Sequence, residues 1–321
     1  MDPDILTPIK LTCPGLIVVG GPTATGKSAL ALALAQGLGC PILSADSRQV
    51  YCGFDIGTAK PTVAEQAQAP HYLIDLCSPR DILTLAEYQA QAQGLIARFH
   101  RQGQTPILVG GTGLYIRAIT EGLQIPRVPP QWELRSQLQS LGQLQSYQWL
   151  QQVDPAAAVQ IHPHDQVRTL RALEVFYATG RPLSQQQGTQ IPSYPILQLG
   201  LDLADSDQRL TRIRQRTDQM LAQGWLSEVQ TLMSTYGEDL PLLETLGYRE
   251  LKQHLQGDLS LLEARNRIIL RTRQFAKRQR TWFRAIPQMQ WFEATDTSLL
   301  NQVGTAIETF LATCVSYSPC S

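Results

Sequence analysis

Apolar residues along this chain gather in short runs, and longer stretches of helical composition separate them. The first run, Leu16 to Gly21, enters a glycine-rich turn, and Ser28 to Leu38 follows with the Ala and Leu content of a helix. Similar runs recur at Pro41 to Ala45, His71 to Leu76, Thr105 to Val109, Tyr194 to Leu203 and Met289 to Phe292, with helix-like stretches between most of them. This strand–helix alternation predicts an α/β fold, a parallel sheet with helices on both faces.

One segment departs from the alternation. Arg127 to Gln190 opens with VPP, is rich in Gln and Leu, holds no β-branched run and closes near IPSYP. It predicts a helical insertion over 127–192. Because strands occur on both sides, the core is expected to be discontinuous, from 14–126 and 193–312. Residues 313–321, ending in SYSPCS, read as a flexible tail.

Composition narrows the function classes. With 321 residues, 43% of them apolar, the chain is long enough for a large core and is not disordered in character. No apolar run approaches the roughly 20 residues of a membrane span. The opening MDPDILTPIK lacks the basic-then-apolar order of a signal peptide, so a cytoplasmic address without membrane contact is expected. Six cysteines without CxxC spacing indicate neither zinc nor a disulfide framework. Basic and acidic residues balance at 27 each, so any grip on nucleic acid is local.

The strongest chemical signal is GPTATGKS, a full G-x-x-x-x-G-K-S match between a strand and a helix. Gly21, Pro22, Thr23, Ala24, Thr25 and Gly26 form the turn. The two glycines let backbone N–H groups point inward, Lys27 brings a charge to the terminal phosphates, and the Ser28 hydroxyl is a ligand for Mg²⁺. Diphosphate or triphosphate binding follows. NTPases add an acid at the end of a second strand, but here PILVG leads into GGTGLY without one; Asp75, after HYLI, is the remaining candidate for that part. Asp46 ends the run PILSA, at the carboxyl edge of the sheet where ligands bind; it reads equally as a general base or as a helix N-cap.

Late in the chain, Arg265, Arg267, Arg271, Arg273, Lys277, Arg278, Arg280 and Arg284 alternate with Phe275, Trp282 and Phe283. Such a stretch neutralises phosphates, with its aromatics mostly in the core. Arg168 and Arg171, three apart, share one helical face, and Arg135 lies in WELRSQL.

Taken in order, GPTATGKS, SADSRQVYCGFDIGTAKP, APHYLIDL, PILVGGTGLYI and RQFAKRQRTWFR resemble the tRNA dimethylallyltransferases, also called tRNA isopentenyltransferases. The resemblance runs from about Leu16 to beyond Trp291. It implies a P-loop NTPase-like, nucleotide-kinase-like fold in which the P-loop holds dimethylallyl diphosphate. It also implies prenyl transfer to the N6 amine of the adenosine 3′ of the anticodon, position 37, with diphosphate released. By this resemblance Asp46 is the base, Arg216 reaches the diphosphate with Arg212 one turn earlier, and Thr112 lies near the reacting centre. Asp46, Ser47, Arg48 and Gln49 hold the target base, while Arg135, Arg168, Arg171 and Arg249 lie along the tRNA anticodon stem-loop. The roles of Lys60 and His71 stay open. A monomer is expected. Two rivals remain: a P-loop kinase or adenylate prenyltransferase acting on free nucleotides, and a non-catalytic RNA-binding protein with a relic P-loop.

Overall fold

The computed structural model describes residues 14–315. Along the chain it forms β1 (Leu16–Gly20), α1 (Lys27–Leu38), β2 (Ile42–Ser44), α2 (Val63–Gln68), β3 (His71–Tyr72), α3 (Leu85–Arg101), β4 (Ile107–Val109) and α4 (Gly113–Thr120). There follow β5 (Leu123–Gln124), α5 (Trp132–Ser140), α6 (Gln143–Val153), α7 (Pro155–Gln160), α8 (Gln166–Thr179) and β6 (Gly188–Thr189). The chain ends through β7 (Ile196–Asp202), α9 (Ser206–Ala222), α10 (Trp225–Tyr236), α11 (Tyr248–Leu255), α12 (Leu261–Arg284), β8 (Met289–Glu293) and α13 (Leu299–Val315). Of the expected tail, 313–315 is helical and 316–321 lies outside the described residues.

All six apolar runs become strands of one sheet in the order β3-β2-β4-β1-β7-β8, with every neighbouring pair parallel. Strand side chains alternate between faces. Ile17 and Val19 pack with Leu30 and Leu34 of α1 and with Val303 and Ile307 of α13. Leu16 and Val18 point the opposite way and are equally buried. Burial on both faces explains why these runs read as continuous apolar stretches. The order turns at β1: β4 and β2 lie on one side and β7 and β8 on the other. Ligands bind at the carboxyl ends of strands at such a switch point, where the P-loop begins. β3 is only two residues long because Leu73 (φ 62) and Asp75 (φ 51) turn left-handed and leave the ladder.

Two compact units emerge among the described residues, one of 14–83, 90–116 and 193–315, the other of 84–89 and 117–192. The second unit starts earlier than the expected 127 and adds a piece of α3. It is mainly helical, as its Gln- and Leu-rich composition predicts, with a core including Leu150, Leu173 and Val175. Asp154 caps α7 ahead of a proline and Asp165 caps α8, each accepting a backbone N–H. The helical reading missed the small antiparallel pair of β5 and β6. Two-residue strands carry too little pattern to be read from sequence.

Candidate active site

The P-loop leaves β1 through Gly21, whose φ of 132° suits glycine and where a Cβ would lie 2.3 Å from the carbonyl oxygen of Leu201. Gly26 (φ 95°) then opens α1. The Pro22 carbonyl accepts from the Thr25 hydroxyl at 3.0 Å and from Lys27 Nζ. Burial, and next the charge of Arg216, push the Lys27 ammonium down to about 7, while Asp46 opposes them. Burial also lowers Arg216, with Asp46 again opposing. These three charged groups therefore sense one another in one cavity, whose lining includes Thr23, Lys27, Ser28, Asp46 and Arg216. The remaining P-loop residues shape the turn. Arg212 reaches the loop through a long 3.4 Å bond to the Thr25 carbonyl.

Asp46 lies two residues beyond the end of β2. One of its oxygens accepts the Arg48 N–H at 2.8 Å in a local turn, and the carboxylate faces the cavity. Thr112 lies outside the lining; its hydroxyl accepts the Ser47 N–H at 3.0 Å and donates to Ser47 Oγ at 3.3 Å, and its N–H donates to the Ala45 carbonyl at 3.1 Å. Thr112 thus holds the Asp46 loop. Gln49 lines the cavity with its amide committed to Ser44, Thr58 and Ala59. Arg48 is exposed.

Asp75, the one candidate for an NTPase acid, is not in the cavity. It pairs at 2.5 Å with the buried Lys60, which also binds Asp55 at 2.5 Å and the Tyr51 carbonyl at 2.9 Å. Lys60 is therefore a structural tie. His71 does line the cavity, with Nδ1 held 2.8 Å from the Ala69 carbonyl.

Several basic residues are held internally. Arg135 makes a bidentate pair with the buried Glu174 (2.7 and 2.9 Å), and Arg171 binds the same carboxylate at 2.5 Å. Arg168 is the exposed member of that trio, with a 3.4 Å contact to Asp165. Arg249 lies 3.7 Å from buried Glu250, which also takes Arg271. On α12, Arg265 is bound to Asp218, and Arg280 and Arg284 to Asp202. Arg267, Arg273, Lys277 and Arg278 are exposed and make no ion pair among the described residues.

Phe283 is fully buried, as expected of a core aromatic, but Phe275 is 39% exposed and lines the cavity. Sequence reading also passed over Gln279, a buried member of the lining. Its signal was present: Ala276, Gln279 and Phe283 fall at helical spacing on the inner face of α12.

The family model described as IPP transferase matches residues 49–286. The tRNA dimethylallyltransferase of Acaryochloris marina is 70% identical across 90% of this chain and 96% of its own, and that of Thermosynechococcus vestitus is 65% identical across 88% and 90%. Among solved structures, the full-length tRNA isopentenylpyrophosphate transferase of Bacillus halodurans has a TM-score of 0.71 at 33% identity, covering 94% of this chain and 98% of that one. A eukaryotic dimethylallyltransferase acting on tRNA gives a TM-score of 0.76 at 27% identity, covering 96% and 81%. With a P-loop cavity that contains a carboxylate but no NTPase acid, and relatives matching over nearly its whole length, this chain belongs to the IPP transferase family.

Proposed function

We propose that this protein transfers a dimethylallyl group from dimethylallyl diphosphate to the N6 amine of the adenosine 3′ of the anticodon in tRNA, position 37, and releases diphosphate. The observation that carries this reading is the sharing of one cavity by Lys27, Ser28 and Arg216 with the carboxylate of Asp46. An adenine amine is a weak nucleophile because its lone pair is delocalised, so its proton must leave as the new bond forms. The C–N bond forms as the C–O bond to diphosphate breaks. Asp46 takes the proton, and the diphosphate departs with the bonding electrons. Lys27 and Arg216 meet that growing charge with fixed cations in a partly desolvated site. Bound diphosphate also favours the charged form of Lys27, offsetting the burial that lowers it.

Mg²⁺ fits the residues present. Ser28 lines the cavity, and among the described residues its hydroxyl has no hydrogen-bond partner and no group of three or more His, Cys, Asp or Glu forms a metal cage. A single protein oxygen plus phosphate oxygens is a common Mg²⁺ donor set. When bound, the ion neutralises charge on the diphosphate.

Arg168, Arg249 and the unpaired basic residues of α12 are proposed to contact tRNA phosphates, with Asp46, Ser47, Arg48 and Gln49 around the extruded base. Arg135 and Arg171 support that surface through Glu174. Among the described residues no helix is long and apolar enough to cross a membrane. A monomer working in the cytoplasm accords with this reading.

Labelled dimethylallyl diphosphate incubated with tRNA or with AMP tests the proposal. Label on tRNA at the predicted nucleoside is expected. Label on AMP alone, or ATP turnover without transfer, would overturn it. Asp46→Ala is expected to retain tRNA binding and to lose turnover by about 100-fold or more; unchanged turnover would remove Asp46 as the base.

A further inference from the structure

We infer that Gln279 is a positioning residue that sets the separation between the diphosphate loop and the loop carrying Asp46; the inference rests on the transferase reading above. Gln279 is 8% exposed on the inner face of α12, and both ends of its amide are used. Its Oε1 accepts the Thr23 N–H at 2.9 Å, and its Nε2 donates to the Gly111 carbonyl at 2.9 Å. A primary amide joins a donor and an acceptor on one rigid plane, so this single group ties the P-loop to the turn after β4. From that turn the connection continues: Thr112 bonds the Ala45 carbonyl through its N–H and Ser47 through its hydroxyl, on either side of Asp46. Gly111 permits the approach, since a Cβ there would lie 2.5 Å from the Gln279 nitrogen. The Thr23 N–H is directed at α12 by the same bond, which fixes the near half of the loop before any ligand arrives.

The chemistry gives this tie a purpose. The departing diphosphate and the amine whose proton Asp46 takes must meet one carbon of the prenyl group from opposite sides, and misplacement by about 1 Å costs on the order of 100-fold in rate. Gln279 touches neither the charge that leaves nor the proton that moves. Its effect is on their alignment.

The test uses Gln279→Met, which removes both bonds at similar volume, and Gln279→Glu, which keeps the acceptor and turns a second oxygen on the Gly111 carbonyl. Transfer to tRNA is followed with both substrates varied, beside direct binding of inorganic pyrophosphate with Mg²⁺, direct binding of tRNA, and thermal unfolding. Both variants are expected to lose kcat by about 30- to 100-fold, with tRNA affinity unchanged and pyrophosphate affinity reduced by less than about tenfold. A protonated glutamic acid restores the missing donor, so the activity of Gln279→Glu relative to the unsubstituted protein should rise as pH falls from 8 to 6. Activity within threefold of the unsubstituted protein in both variants would overturn the inference. So would a loss explained by the folded fraction alone, a flat pH ratio, or failure of both variants to fold. Absence of prenyl transfer by the unsubstituted protein, with pyrophosphate still bound, would instead count against the transferase reading.

Discussion

Lys60 and Asp75 meet at 2.5 Å where the loop after β2 crosses the turn after β3. The lysine side chain is 4% exposed, whereas Asp75 and its second partner Asp55 are 44% and 58% exposed. Around this tie the backbone is bent out of its usual range: Ala59, Leu73 and Asp75 all have positive φ. Lys60→Met removes three hydrogen bonds but leaves both carboxylates hydrated. The expected loss is therefore about 2–4 kcal/mol, less than for stranding a buried charge. A urea midpoint lowered at unchanged slope would bear this out, and an unmoved midpoint would refute it.

The same geometry separates transferase from NTPase. An acid that oriented water or held the metal would be indispensable, yet Asp75 is spent on Lys60. Asp75→Asn, which keeps an acceptor for the lysine, should leave prenyl transfer and its Mg²⁺ requirement within about threefold of the unsubstituted protein, the scale of a neutral surface change. Loss of activity by orders of magnitude in a folded variant would restore Asp75 to the catalytic machinery.

Basic residues in the helical unit divide by partner. Arg135 and Arg171 share Glu174, which has no exposed surface. Arg135→Ala should cost about 3 kcal/mol of stability by depriving a buried carboxylate of a bidentate partner. Arg168→Ala should change stability by less than about 0.5 kcal/mol. Its effect is expected in tRNA binding, where losing one phosphate contact lowers the salt slope by about 0.7–0.9. Equal thermal stability of the two variants would contradict this division.

Asp202 is one carboxyl that makes the stability of the P-loop unit depend on pH. Burial alone would raise its carboxyl, but hydrogen bonds from Arg280 and Arg284 and from the Leu203 N–H outweigh it and hold the group below the usual range. The unfolded chain then binds the proton more readily, so this contribution is full above about pH 4. It is lost as pH falls through the depressed folded value. Asp202→Asn should flatten the decline in urea midpoint between pH 5 and pH 3. An equally steep decline in the variant would assign acid lability elsewhere.

The sheet was legible because its strands are buried on both faces: six apolar runs between helical stretches give six strands. The P-loop was legible because phosphate binding needs glycines at fixed spacing. Relations across long separations were not. Nothing local to Arg135 marks Glu174 as its partner, and nothing around Lys60 points to Asp75. Charged residues look alike in sequence whether a carboxylate or solvent receives them, so the basic run of α12 could not be divided into held and free members. Gln279 was hidden for a related reason, as a polar residue within a polar run whose burial shows only in its register with Ala276 and Phe283.

Gly110, just after β4, lets the end of β2 ahead of Asp46 approach closely by having no side chain. A Cβ there would lie 2.1 Å from the Ala45 carbonyl oxygen and 2.8 Å from its Cα, atoms that no rotamer change moves aside. Ala45 immediately precedes Asp46, so Gly110→Ala must displace the end of β2. Lys27 and Ser28, in contrast, lie in the first turn of α1 and should keep their places. Turnover should fall on the order of 100-fold while pyrophosphate binding stays near that of the unsubstituted protein. Gly94→Ala provides the control: Gly94 is an exposed position of α3, its added methyl meets nothing within 4 Å, and the change should stabilise the helix by about 0.5–1 kcal/mol without altering turnover. Were Gly110→Ala to lose pyrophosphate binding as fully as turnover, the displacement would have reached β1, whose Val19 carbonyl accepts the Gly110 N–H, and with it the P-loop.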